Sequence, residues 1–224
     1  MLLVRFQRVW HGYTELFWAI YDSRTQYSKT ENVLFVDCGA NLGQGYHWLS
    51  KFFKQSNVEF EMFEPNFNCY SFLEEIPAVK SGKVKLNKGG IGTDDSLVNL
   101  YGLDDPERGP LSQGGSTNIA HNSKFYSSSE AKSIEVKVFN FSEYLQGKSA
   151  LYDKILVKMD IEGAEVEVLE SLIADKSINY INVLYVEFHS QFQDLEESKV
   201  TKNREDRIID KIKNETNTLL RIWH

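Results

Sequence analysis

Hydrophobic positions along the chain fall into short apolar runs alternating with segments of helical spacing, the pattern of an α/β fold built on a parallel sheet. The clearest run is Val33-Leu34-Phe35-Val36, whose β-branched and aromatic content suits a central strand covered on both faces. It enters Asp37-Cys38-Gly39-Ala40-Asn41-Leu42-Gly43, and residues 44–54 then carry Tyr46, Leu49, Phe52 and Phe53 at helical spacing. The pattern predicts a strand, a glycine turn and a helix whose free N–H groups face the mouth of the turn.

The same rhythm continues downstream. Residues 58–65 alternate as a second strand ending in Glu64-Pro65, and Asn66 stands where it can cap a helix containing Phe67, Tyr70 and Leu73. Residues 83–87 predict a third strand running into Lys88-Gly89-Gly90-Ile91-Gly92, expected as a loop of bare backbone. A weak edge strand over 96–101, a short strand over 134–138 and a helical turn over 142–145 follow. Residues 155–159 predict a strand, and 165–174, with Val166, Val168, Leu169, Leu172 and Ile173, an amphipathic helix. Residues 180–188 predict a further buried strand, 196–217 a charged helix with Ile208, Ile209 and Ile212 on one side, and 218–223 a short last strand.

Two segments stand apart. Residues 1–30 predict an amphipathic helical extension with apolar contacts from Leu3, Phe6, Val9, Trp10, Phe17, Trp18 and Tyr21; packing on the domain is its expected role, with a lid over the site, a dimer contact or a membrane-surface contact as alternatives. Arg5, Arg8, His11 and Glu15 interrupt it, so no transmembrane segment is expected and a cytoplasmic protein is. Within the main domain, residues 31–224, the stretch 102–133 is too long for an ordinary connection. Asp104, Pro106, Gly109, Pro110, Gly114, Gly115 and serines 127 to 129 give it no period, and it is expected as a lid or substrate loop.

Composition narrows the partner classes. A chain of 224 residues that is 42% hydrophobic can bury one sizeable core. Its net charge of −7 argues against nucleic acid as a partner. Two cysteines, Cys38 and Cys69, make no disulfide framework, and Cys38 is expected as a small buried thiol.

The candidate chemistry sits at strand ends. Gly39 and Gly43 bracket a turn that lets a ligand approach the backbone, and Asp37 closes the strand before it. Glu64 falls just over ~20 residues beyond that turn, where nucleotide-binding α/β folds place an acid for ribose hydroxyls. The dinucleotide fingerprint is incomplete because Asn41 stands between Gly39 and Gly43, which disfavours a nicotinamide cofactor. Asp160 ends the strand over 155–159, while Glu162 and Glu165 suit the positive end of the following helix. Glu187 and His189 point to one side by strand alternation. If their strand neighbours the one ending at Asp160, then Asp160, Glu187 and His189 converge as an acid–base group, or as ligands of a divalent metal.

Taken in order, Val36-Asp37-Cys38-Gly39-Ala40-Asn41-Leu42-Gly43, Phe63-Glu64-Pro65, Lys158-Met159-Asp160-Ile161-Glu162-Gly163-Ala164-Glu165 and Glu187-Phe188-His189 resemble the FkbM family of S-adenosylmethionine-dependent methyltransferases. The resemblance spans residues 32–189, and its distinctive part is the Asp-x-Glu-Gly-x-Glu block. It implies a Rossmann-like class I methyltransferase fold, a mostly parallel central sheet flanked by helices, with S-adenosylmethionine across the strand ends. Gly39, Asn41 and Gly43 would surround its amino-acid moiety, Glu64 its ribose, and Gly89, Gly90 and Ile91 its adenine. Asp160 would approach the methyl group, and Asp37, Ala40 and Pro65 complete the implied cofactor-binding set. The implied reaction is O-methylation of a sugar, glycan or small-metabolite hydroxyl, with Asp160 or His189 as base and Glu187 orienting His189 or binding substrate. A class I sheet ends in an antiparallel hairpin, but only one short strand follows the charged helix here, so the far edge is expected to be shortened or completed by a partner; a homodimer is a separate expectation. A nicotinamide-dependent oxidoreductase and a non-catalytic nucleotide-binding or assembly module are the rival readings.

Overall fold

The computed structural model describes residues 2–54, 57–121 and 132–223, with side chains from residue 13 onward. The contacts expected of Leu3, Phe6, Val9 and Trp10, and serines 127 to 129 of the expected lid, lie outside what is described. Six strands form the central sheet: β1 (Val33–Cys38), β2 (Val58–Glu64), β3 (Val84–Lys88), β7 (Lys154–Met159), β8 (Val183–Val186) and β9 (Leu219–Ile222). Their order is β3-β2-β1-β7-β8-β9 and every pairing is parallel. This is the doubly wound arrangement, in which the strand order reverses between β1 and β7 and opens a crevice at their carboxyl ends.

Alternation along β1 builds a core on each face of the sheet. Leu34, Val36 and Cys38 face the side covered by α5 (Phe141–Ser149), α6 (Glu165–Ala174) and α7 (Leu195–Glu215), where Phe141, Leu169 and Ile208 are buried. Val33 and Phe35 face the other side, with Leu49 of α2 (Gln44–Leu49) and Leu73 of α3 (Tyr70–Glu75). There Phe35 stacks with Phe60 and Tyr185 at centroid distances of 5.3 and 6.1 Å.

The far edge is one strand, β9, parallel to β8 with no hairpin beyond it among the described residues. The helix α1 (Leu2–Thr25) crosses near this edge. Its buried Asp22 accepts hydrogen bonds from Tyr185 Oη at 2.8 Å and from Arg221 Nε and Nη2 at 3.1 and 2.9 Å, while the Arg221 guanidinium lies 3.8 Å from the Trp18 ring centroid. Among the described residues no helix is long and apolar enough to cross a membrane.

Several local expectations shift. Residues 90–92, expected as a loop, are a strand, β4 (Gly90–Gly92), in a second sheet with β6 (Ile134–Asn140) and β5 (Ser96–Leu100) in the order β4-β6-β5. The helix after the glycine turn, α2, stops at Leu49 rather than continuing to 54, and the strand expected over 180–188 is confined to β8, with a 3-10 turn (Ser177–Tyr180) before it.

Candidate active site

Register decides what meets at the crevice. Cys38 pairs with Phe63 on one side and Met159 on the other, so the next residues, Gly39, Glu64 and Asp160, emerge level with one another. They border a cavity of about 500 Å3. The Gly39 and Ala40 N–H groups donate to the Phe63 carbonyl at 3.1 and 3.0 Å, which pins the first turn to β2. Glu64 is buried, and its carboxylate accepts from Asn41 N at 2.6 Å and Asn66 N at 2.8 Å. Burial pushes the Glu64 carboxyl up to about 7 despite those two N–H donors.

Beside it, Lys158 is a cation buried within the sheet. Its Nζ lies 3.3 Å from Asp37 Oδ1 and 3.0 Å from Asp160 Oδ2, and it donates to the Gly39 carbonyl at 3.3 Å. Burial works against the Lys158 charge, but the two aspartates hold its pKa above the ordinary value. Burial likewise works to raise the Asp160 carboxyl, and Lys158 and His189 outweigh it, so Asp160 is held below its usual range. Asp37, fully buried, is raised by burial in spite of Lys158.

Acidic groups and imidazoles crowd the end of β7. His189 Nδ1 lies 2.9 Å from Glu165 Oε1, and the same buried carboxylate accepts from Ile161 N at 3.0 Å and Gly163 N at 3.0 Å. Nε2 of His189 faces Glu162 at 3.5 Å, Asp160 at 3.6 Å and Glu187 at 3.9 Å. His121, fully buried, places Nε2 3.1 Å from Glu162 Oε2, and Glu162 itself has a left-handed backbone with φ 56°. Burial lowers the His189 pKa, but Glu165, Glu162 and Asp160 together raise it to about 10; Glu187 is raised to about 7 by burial and by Asp160.

Of the residues expected at a cofactor site, Gly39, Ala40, Asn41, Glu64, Pro65, Gly90, Ile91 and Asp160 line the cavity, as does Glu187. Asp37, Gly43 and His189 are not among its lining residues. Asp37 lies under the start of α2, where a Cβ on Gly45 would come within 2.6 Å of its Oδ2. Gly43 has φ 88°, and a Cβ there would meet Ile76 Cδ1 at 2.7 Å, so packing between helices accounts for it. His189 lies behind Asp160 and Glu162. Sequence reasoning missed Lys158 and His121 and gave Glu162 and Glu165 only a helix-dipole role; a lysine inside the apolar run 155–159 was the one visible signal for the first.

The segment after β5 lies over the cavity, with Ser112, Gln113, Gly115 and Thr117 in its wall. It is tied down by Asn41 Nδ2 donating to Ser112 O at 3.1 Å and Asn66 Nδ2 to Pro110 O at 2.7 Å. Glu15 of α1, Trp48 and Trp223 complete one side.

The Methyltransferase FkbM domain family matches this chain over residues 37–216. Among solved structures the chain is similar to the methyltransferase FkbM from Methylobacillus flagellatus KT, at 16% identity and a TM-score of 0.44. That match covers 80% of this chain and 38% of the other, so this chain spans well under half of that structure's length. No curated protein matches.

Proposed function

The chain belongs to the FkbM methyltransferase family, and from that premise we propose that it methylates a hydroxyl oxygen of a sugar, glycan or small metabolite with S-adenosylmethionine as donor. The observation that carries the reading is the convergence of Glu64 and Asp160, from two different strands, on one cavity across the Gly39 turn. The residues suit that donor. A cavity of about 500 Å3 lies in the range of small-molecule sites, Glu64 offers a buried carboxylate to ribose hydroxyls, and Pro65, Gly90 and Ile91 offer apolar lining to a base.

When bound, S-adenosylmethionine would supply an electrophilic methyl carbon on a sulfonium, open to in-line attack by the acceptor oxygen as the carbon–sulfur bond breaks and S-adenosylhomocysteine leaves. The chain's part is to align the acceptor and take its proton. Asp160 has one oxygen committed to Lys158, and Glu162 faces His121, whereas Glu187 lines the cavity with His189 Nε2, at 3.9 Å, as its nearest cation. Glu187 therefore accepts the acceptor's proton, and Asp160, held in place by Lys158, orients the acceptor. This differs from the expectation of Asp160 or His189 as base, because Asp160 is engaged by Lys158 and His189 is buried with Nδ1 committed to Glu165.

Calorimetric titration with S-adenosylmethionine, S-adenosylhomocysteine and NAD, followed by a transfer assay with labelled methyl donor across glycan and small hydroxyl acceptors, tests the reading. Binding of the two sulfur nucleosides without NAD is expected. Glu187→Gln should retain donor binding and lower kcat by about 10²- to 10⁴-fold. A folded sample that ignores the methyl donor overturns the proposal.

A further inference from the structure

The space in front of His189 Nε2 is framed in an unusual way. Glu165 holds Nδ1 at 2.9 Å, which in a neutral ring fixes the proton there and leaves the Nε2 lone pair facing outward. The oxygens it faces, on Glu162 and Asp160, stand at 3.5 and 3.6 Å, beyond ordinary hydrogen-bond length. Two atoms bound to one tetrahedral ion at about 2.1 Å lie about 3.4 Å apart, so these separations suit ligands of a shared cation. The ligand-bearing atoms of Asp160, Glu162 and His189 all fall within 4.8 Å of one another.

Each ligand has its own support. Glu165 orients His189 as a carboxylate behind a metal-bound imidazole does. Buried His121 lies against Glu162, whose left-handed backbone is a strained conformation for a glutamate and aims the side chain into the cluster. Lys158 binds Asp160 through Oδ2, so Oδ1 is the oxygen turned to His189. Charge points the same way: Asp37 and Asp160 share Lys158, while Asp160, Glu162, Glu165 and Glu187 all face the one imidazole of His189. His189 is nine-tenths buried or more, while Asp160 and Glu162 open onto the cavity and give an ion its way in.

We propose that Asp160, Glu162 and His189 bind a divalent cation at the cavity wall. The imidazole among the ligands favours a first-row transition ion, Zn2+ or, with the two carboxylates, Mn2+, over Mg2+ or Ca2+. The site stands independently of the methyl-transfer reading, and a proton on His189 Nε2 is its rival occupant.

The test uses the purified chain stripped with a chelator and desalted, titrated with Mn2+ while the free ion is followed by electron paramagnetic resonance, with Zn2+ as competitor. One Mn2+ per chain, displaced by Zn2+, is expected. Glu162→Gln and His189→Gln should each weaken it by at least about tenfold. Circular dichroism checks that the variants fold, and Glu162→Gln, at the cavity wall, serves if the buried His189 variant does not. Failure of the wild-type chain to take up either ion, or uptake unchanged in folded Glu162→Gln, overturns the proposal and leaves the proton as occupant. S-adenosylmethionine titrated into the same stripped sample separates the two readings: donor binding by a chain that takes up neither ion removes the cation site alone, and ion uptake by a chain that ignores the donor removes the methyltransferase reading alone.

Discussion

Gly39 and Asp160 meet backbone to backbone: a Cβ on Gly39 would lie 1.8 Å from the Asp160 carbonyl oxygen. The turns after β1 and β7 are thus packed so closely that no side chain fits between them, and the same closeness brings Asp160 to the cavity that the Gly39 turn borders. Gly39 also has φ 83°, a conformation other residues rarely adopt. Gly39→Ala must push β1 from β7 or distort both turns. A loss of about 2–3 kcal/mol is expected, read as a lower urea midpoint at unchanged slope. Wild-type stability in the alanine variant would show that the two turns are not held together as described.

Glu64 carries a pH dependence whose sign follows from its burial. Its carboxyl is raised from 4.5 to about 7 in the folded chain, so folding favours the neutral form. The contribution of this group to stability is fully present below pH 4.5 and is lost as pH rises through about 7. In the proposed complex ribose hydroxyls would donate to the ionised form, so donor affinity should run the opposite way, weakening by up to about tenfold per pH unit below the folded pKa. Calorimetry across about pH 5 to 8 reads both trends. Glu64→Gln should flatten the profile and weaken donor binding by about 10- to 100-fold, since an amide NH2 would face the Asn41 or Asn66 N–H. A flat wild-type profile would separate Glu64 from donor binding.

Asp22 joins the first helix to the far edge of the sheet through a buried charge. Asp22→Asn leaves Arg221 and Tyr185 without the carboxylate they share, and removing one partner of a buried ion pair costs about 3–5 kcal/mol. Glu15 on the same helix lines the cavity, so the variant should also weaken donor binding. Unfolding midpoints and calorimetry on one preparation test both. A full stability loss with untouched affinity would confine α1 to a structural part.

Polar residues that end apolar runs were legible in the sequence because an α/β sheet opens its crevice at its carboxyl ends. Glu64 and Asp160 were placed that way, and the strand register brings them together. Lys158 stood in plain view inside an apolar run, yet its meaning depends on Asp37 and Asp160 flanking it across two strands. The sequence assigns Glu165 to the helix dipole; its N–H donors Ile161 and Gly163 are local to that turn, and only tertiary contact reveals that it also holds His189. His121 lies in a segment without periodicity, where no pattern fixes position. Gly90 to Gly92 pair with β6, more than forty residues on, which local patterning cannot anticipate.

Asn66 tests whether the segment over the cavity is held by its own contacts or by what the cavity contains. Its side chain does two things at once: Oδ1 accepts from Asn68 N at 3.1 Å, capping the turn after β2, and Nδ2 donates to Pro110 O at 2.7 Å. Asn66→Asp keeps the cap and removes the donor, setting a carboxylate oxygen against a carbonyl. Amide exchange at Tyr101 and Ser116, whose N–H groups pair reciprocally at the base of the segment, should accelerate, with a stability loss of about 1–3 kcal/mol. Excess S-adenosylmethionine should slow that exchange again, because a ligand packed against Ser112 and Gly115 stabilises the closed segment by mass action. Exchange that responds to the substitution but not to the donor would leave the segment a fixed wall, and a role for it in donor retention would fall.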